Sequence, residues 1–162
     1  MQYVLSRTEV EIGLLLTPWP IATALTAILA GRLADKYSVG ILCGIGLTVF
    51  AIGLILMAEL PLHATNITIM WRMAICGIGF GLFQTPNNHA IMNSAPLSRS
   101  SAAGATMSSA RLLGQTIGAA LVSLSFVIIP IEPTRTTLYC AGLLSFIAAG
   151  VSLLRHGERF RS

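Results

Sequence analysis

Charged side chains are scarce in this sequence of 162 residues. Lysine, arginine, aspartate and glutamate make up 10% of it, hydrophobic residues make up 54%, and the mean hydropathy is +0.78. A soluble domain carries about 25% charged residues, so this chain cannot cover a surface that faces water. The net charge of +4 is not grouped with aromatic side chains, as it would be on a nucleic-acid-binding surface. The composition therefore predicts lipid as the surrounding medium and argues against a nucleic-acid partner.

Groups that could carry enzyme or metal chemistry are also missing from the sequence. Its three cysteines, Cys43, Cys76 and Cys140, lie far apart in apolar sequence, so they match neither a disulfide framework nor a metal-ligand spacing. The sequence contains no phosphate-binding loop and no pairing of a nucleophile with a base. We therefore expect no enzyme activity, no cofactor and no bound metal.

Long apolar runs fill most of the chain. The first two hold about 20 residues each, and at about 1.5 Å per residue a helix of that length spans roughly 30 Å, the thickness of a bilayer's hydrocarbon core. The sequence therefore predicts one all-α membrane domain over residues 1–162. Its five predicted transmembrane helices are residues 11–30, 39–58, 67–91, 102–129 and 137–154.

The connection between the first two spans reads Gly31-Arg32-Leu33-Ala34-Asp35-Lys36. We expect Gly31 to turn the backbone and Asp35 to face the free N–H groups that begin the next helix. With this loop, the Arg99 loop and the C-terminal tail in the cytoplasm, six bases lie inside and two outside, as the positive-inside rule requires. The predicted topology has the N-terminus outside and the C-terminus in the cytoplasm. The inner bases are Arg32, Lys36, Arg99, Arg155, Arg159 and Arg161, and the outer ones are Arg7 and Arg135.

The same six residues resemble the Gly-x-Leu-Ala-Asp-Arg/Lys signature of the major facilitator superfamily, found after the second helix of each six-helix half. The family pattern continues with Gly-Arg-Lys, whereas this chain reads Tyr37-Ser38-Val39. A degenerate copy is typical of the second half. The resemblance implies that the five spans are helices two to six of a C-terminal half, and that an N-terminal transporter portion is missing.

A second resemblance narrows the family. Gly77-Ile-Gly-Phe-Gly-Leu-Phe-Gln-Thr-Pro86-Asn87-Asn88, followed by Arg111-Leu-Leu-Gly114-Gln-Thr-Ile-Gly118, is similar to the fourteen-span drug:proton antiporters. It implies proton-driven efflux of amphipathic or cationic toxic compounds, by alternating access, across a bacterial inner membrane. Proton coupling usually needs an intramembrane carboxylate, and apart from Glu11 at the outer end of the first span, no predicted span contains one. The carboxylate would therefore lie in the missing portion.

Arg111 is the sharpest site candidate. It lies about 13 Å from the cytoplasmic end of the fourth span. A cation at that depth costs at least about 2–3 kcal/mol, so it needs a partner or a water-filled cavity. We expect a substrate pathway lined by Gln84, Asn87, Asn88, Arg111 and Gln115. The alternative is structural: Arg111 bonds to carbonyls or reaches the interface, and the amides satisfy carbonyls that Pro86 frees.

Two further sets of residues complete the prediction. We expect Gly31, Arg32, Asp35 and Lys36 to form a cytoplasmic gating loop, in which Asp35 and Arg32 act as a latch near Ser101. The alternative is that these charges face water and only fix the orientation of the chain in the membrane. Helix packing is assigned to Gly40, Gly44, Gly114 and Gly118. In the first span, Pro18 and Pro20 should kink the helix, and the carbonyls they free should bond to Thr17, Thr23 and Thr26.

The sequence leaves two other functional hypotheses open. One is a small accessory or structural membrane subunit, and the other is a non-functional truncated fragment of a transporter.

Overall fold

A computed structural model describes residues 9–61, 64–129 and 132–158, and all regular structure in these ranges is helical. The α-helices are α1 (Glu9–Leu16), α2 (Pro18–Ala34), α3 (Val39–Ala58), α4 (Asn66–Asn93), α5 (Ser100–Ile128) and α6 (Pro133–Glu158), with a 3-10 turn, Leu97–Arg99, before α5. Five stretches are long and apolar enough to cross a membrane: Gly13–Ala34, Val39–Ala58, Asn66–Asn93, Ser100–Ile128 and Pro133–Leu154. The predicted all-α architecture with five candidate spans is confirmed.

The charged connection after the first span is shorter than predicted. Gly31 and Arg32 lie inside α2, which continues to Ala34, so the prediction that Gly31 turns the backbone is wrong. Asp35 ends α2, and the hydroxyl of Ser38 caps α3 by accepting a hydrogen bond from the Ile41 N–H at 3.4 Å. Serine suits this role because its short side chain reaches the N–H groups that a helix start leaves free. The predicted capping position of Asp35 is therefore also wrong.

The first span is interrupted at Thr17, between α1 and α2. Pro18 is the first residue of α2, a position where its missing N–H costs nothing. The Thr17 hydroxyl donates to the Gly13 carbonyl at 2.9 Å. The Thr23 hydroxyl instead donates to the Gly77 carbonyl of α4 at 3.2 Å, so the prediction that Thr23 serves the prolines of its own helix is wrong. The hydrogen bond from Thr23 therefore joins α2 to α4.

Four helices pack side by side in the order α2, α4, α3, α6, and we call this set the four-helix layer. Glycines of α4 allow its close approach to both neighbours. Gly79 faces α3, where an added Cβ would meet the Phe50 backbone. Gly77 faces α2, where a Cβ would lie 2.5 Å from the Trp19 carbonyl oxygen. The every-second-residue glycine spacing therefore arises because α4 is packed on two opposite sides.

The seam between α3 and α6 contains the Gly40-x-x-x-Gly44 pair. A Cβ on Gly44 would lie 2.6 Å from Cδ2 of Leu153. One turn away, the Ser152 hydroxyl donates to the Gly40 carbonyl at 3.2 Å. The pair thus lies where α3 and α6 approach each other closely.

Helix α5 stands apart from the four-helix layer. None of its residues is buried, and it contacts α4 and α6 only sparsely. Its last turn meets α6 through the hydroxyls of Ser125 and Thr137, which are 2.7 Å apart. The spans alternate in direction, so the chain has an Asp35 end, with the connections at residues 35–38 and 94–99, and a Glu59 end, with Glu59 and Glu132.

Candidate functional site

The last turns of α4 carry the amides that the sequence assigns to a substrate pathway. Gln84, Asn87 and Asn88 are half-buried, whereas His89 is exposed. Helix α4 continues through the fully buried Pro86 to its end at Asn93. Among the described residues, these three amides form no hydrogen bond with a carbonyl that Pro86 frees. The alternative in which they satisfy carbonyls freed by Pro86 is therefore not supported in the described part of the chain.

Arg111 and Gln115 lie one turn apart on α5, and both are exposed. Arg111 is about 17 Å along the helix axis from its first residue, so it lies near the middle of the span. It makes no ion pair with any described residue. Gly114 and Gly118 share this face, and an added Cβ on either would meet nothing within 4 Å. The face formed by Arg111, Gly114, Gln115 and Gly118 is called the α5 polar face below.

The structure places the two groups on consecutive helices without joining them. No hydrogen bond between described side chains links the α4 amides to Arg111 or Gln115. At the Asp35 end, the side chains of Arg32, Asp35 and Lys36 are all exposed. Asp35 and Arg32 form no ion pair in the part of the chain that the structure describes. The charged side chains at the connection between α2 and α3 are therefore exposed and form no ion pair with a described residue.

Sequence reasoning missed a cluster of charged residues at the Glu59 end. Nη2 of Arg135 contacts both carboxylate oxygens of Glu59, at 3.1 and 3.0 Å, and its Nη1 lies 3.3 Å from Glu132. The Tyr139 hydroxyl also donates to Glu59. The sequence does show opposite charges at this end of three spans. Their pairing depends on the adjacency of α3 and α6, which no local pattern indicates.

A second contact that the sequence did not reveal involves Arg72 of α4. Its Nη1 donates to the Leu56 carbonyl in the last turn of α3, and its guanidinium lies 5.3 Å from the centre of the Trp71 ring. Its Nε is buried and has no hydrogen-bond partner among the described residues. Among the described residues, the polar groups thus fall into two sets: groups on α4 and α5 that no hydrogen bond joins, and paired groups at the Glu59 end.

Comparison with known proteins agrees with this architecture. The sequence profile of the Major Facilitator Superfamily matches residues 1–161. The uncharacterized transporter YebQ of Escherichia coli is 50% identical over 155 residues, which are 96% of this chain and 34% of that protein. The multidrug resistance protein Stp of Mycobacterium tuberculosis is 30% identical over 122 residues, 75% of this chain and 22% of that protein. The multidrug efflux pump LfrA of Mycolicibacterium smegmatis is 25% identical over 126 residues, 78% and 25% of the two chains.

The chain spans about a third or less of the length of these relatives. The family match covers nearly all of it, and five apolar helices make it a multi-pass membrane protein. Members of this family are transporters rather than enzymes. The chain therefore belongs to the major facilitator superfamily.

Proposed function

We propose that this chain is the C-terminal part of a proton-driven multidrug efflux transporter that works by alternating access. Its substrates in the intact protein are small amphipathic or cationic compounds. The observation that carries the proposal is the α5 polar face, which is uncovered and holds a cation near mid-membrane. Two of the relatives are named as multidrug proteins, which supports the substrate class.

Arg111 lies near the middle of its span and is exposed. An exposed guanidinium near the middle of a span is costly in hydrocarbon, by at least about 2–3 kcal/mol on insertion scales. The four-helix layer does not cover Arg111. A Cβ added to Gly114 or Gly118 on the same face would meet nothing within 4 Å. A polar cavity or a further helical segment on this face removes that cost. The missing N-terminal transporter portion is the partner we assign to it.

Proton coupling requires a group that the described spans do not contain. None of the five candidate spans contains an aspartate or glutamate. An intramembrane carboxylate is the usual proton carrier in transporters, so the missing portion has to supply it. In the intact protein, Arg111 and Gln115 of α5 and the three amides of α4 would then face the substrate pathway. The five-helix chain by itself should not pump.

The distribution of basic residues predicts the orientation of the chain in the membrane. The Asp35 end carries Arg32, Lys36 and Arg99, so the positive-inside rule assigns this end to the cytoplasm of a bacterial inner membrane. The N-terminus then lies outside and the C-terminus inside. Labelling of a single cysteine introduced at Lys36 by a membrane-impermeant reagent tests this: reaction only after the membrane is broken is expected, and reaction in intact cells contradicts it.

The central experiment measures efflux of a cationic fluorescent dye by the longer protein that contains this chain. We expect Arg111→Ala to lower the efflux rate about tenfold or more, the effect of losing about 1.4 kcal/mol of stabilisation. Leu112→Ala is the matched control, because Leu112 is an exposed apolar neighbour on α5. A protonophore should stop the wild-type efflux. Unchanged efflux by Arg111→Ala would remove the site assignment.

The identity of the longer protein is tested separately. The DNA upstream of Met1 should continue in frame with about nine further apolar spans, as a fourteen-span transporter requires. A start site at Met1 with stable accumulation of the short chain would favour an accessory membrane subunit instead.

A further inference from the structure

Two arginines from different helices converge on the C-terminal end of α3. Arg135 of α6 holds both carboxylate oxygens of Glu59, and the Tyr139 hydroxyl donates to the same carboxylate. The Arg135 guanidinium also lies over the Tyr139 ring, 5.8 Å from its centre. The only other charged group in contact with Arg135 among the described residues is Glu132. These contacts bind α6 to the end of α3.

Arg72 binds the same end of α3 from the opposite neighbour, α4. It donates to the Leu56 carbonyl, which lies in the last turn of α3. The Glu59 N–H bonds to Ile55 and the Leu60 N–H bonds to Met57, so neither uses the Leu56 carbonyl. The last carbonyls of a helix lack partners within it, and a cation there is favourable with the helix dipole. Arg72 therefore caps α3 from the neighbouring helix.

The seam between α3 and α4 continues directly behind this contact. Cys76 lies one turn from Arg72 on α4, and Gly53 lies about one turn from Leu56 on α3. A Cβ on Gly53 would lie 2.7 Å from Sγ of Cys76, and Cys76 is buried. The thiol therefore lies within the seam that would open if the Glu59 end of α3 moved away from α4.

We propose that Arg72 on Leu56, together with Arg135 and Tyr139 on Glu59, forms a clamp that holds the Glu59 end of α3 between α4 and α6. We call these five residues the α3 clamp. It ties α4, α3 and α6 into one unit, whereas α5 has only sparse contacts with α4 and α6 in the part of the chain that the structure describes. The proposal needs neither a substrate nor the missing portion, so it is independent of the proposed function.

The test measures alkylation of Cys76 by a membrane-permeant maleimide in the purified chain in lipid nanodiscs. Cys43 and Cys140 are first replaced by alanine, so that a single thiol remains. We expect Arg72→Met, which keeps an unbranched side chain but removes the guanidinium donors, to raise the alkylation rate about tenfold, because the rate follows the population of the open seam. Glu59→Gln should raise it by a smaller factor, because that contact is exposed.

Two controls separate the clamp from general loss of structure. Glu132→Gln removes a contact with Arg135 that joins no two helices, so it should leave the rate unchanged. Glu59→Gln and Arg135→Gln should be non-additive, because each removes the same contact. If Arg72→Met does not fold, Arg72→Lys and this double-mutant cycle decide the matter. Wild-type alkylation rates in the folded Arg72 variant and in Glu59→Gln, or an additive cycle, would overturn the proposal.

Discussion

Helices α4 and α5 are nearly equal in length, 28 and 29 residues, and both carry several glycines, yet their surroundings differ completely. In α4, Gly77, Gly79 and Gly81 each lie against the backbone of a neighbouring helix. In α5, a Cβ added to Gly104, Gly114 or Gly118 would meet nothing within 4 Å. The same residue type is therefore a packing feature in one helix and an unused surface in the other. The difference is consistent with our proposal that another part of the intact transporter covers α5.

The largest expected effect comes from adding one methyl group at Gly79. In Gly79→Ala the new Cβ would clash with the Phe50 backbone of α3, and backbone cannot move aside cheaply. Overpacking of this kind typically costs about 1–3 kcal/mol. We expect the free energy of unfolding in detergent to fall by that amount. An unchanged value would mean that α3 and α4 are not in close contact.

The matched change on α5, Gly114→Ala, should act in the opposite direction. The added methyl group meets nothing, and alanine favours a helix over glycine by about 0.5–1 kcal/mol. The isolated chain should therefore become slightly more stable by the same measurement. Destabilisation would show that α5 is already covered in this chain. In the longer protein, where we propose that this face is covered, the same substitution should impair dye efflux.

Hydrogen bonds offer a second pair of changes with a smaller difference. Thr23→Val removes a bond between α2 and α4, and bonds between membrane helices average about 0.6 kcal/mol. Thr116→Val on α5 removes a bond only to the Leu112 carbonyl within its own helix. We expect Thr23→Val to lower the free energy of unfolding by about 0.6–1 kcal/mol. Thr116→Val should change the free energy of unfolding by less than half as much. Equal effects of the two substitutions would contradict the expected difference between α2 and α5.

The smallest expected effect concerns Glu132. Its contact with Arg135 is exposed and joins residues three apart in the chain, so solvent screens it and it adds little to stability. Glu132→Gln should leave the midpoint temperature of thermal unfolding nearly unchanged. The small difference from the wild type should shrink further as salt is added. A large loss of stability would mean that Glu132, rather than Glu59, anchors Arg135.

Much of the fold follows from the sequence because hydrocarbon imposes simple rules. Runs of about 20 apolar residues must be helical, since every backbone polar group needs an internal partner. The connections were less predictable. Gly31 and Arg32 stay helical because a single glycine only weakens a helix, and the cap of α3 fell to Ser38 rather than to Asp35. The candidate site remains a prediction, since no hydrogen bond between described residues joins its groups on α4 to those on α5.

The amino-acid sequence by itself determined that the chain is a five-span membrane protein, and its charged and glycine-rich motifs indicated the family. Only the tertiary structure decided that α4 lies between α2 and α3, and that Glu59 meets Arg135 and Arg72 meets Leu56. The reason is physical. Whether a segment lies in lipid depends on the composition of that segment alone. The partner of a side chain depends on which helices approach each other, and that is set by the close contacts that small residues permit between distant parts of the chain.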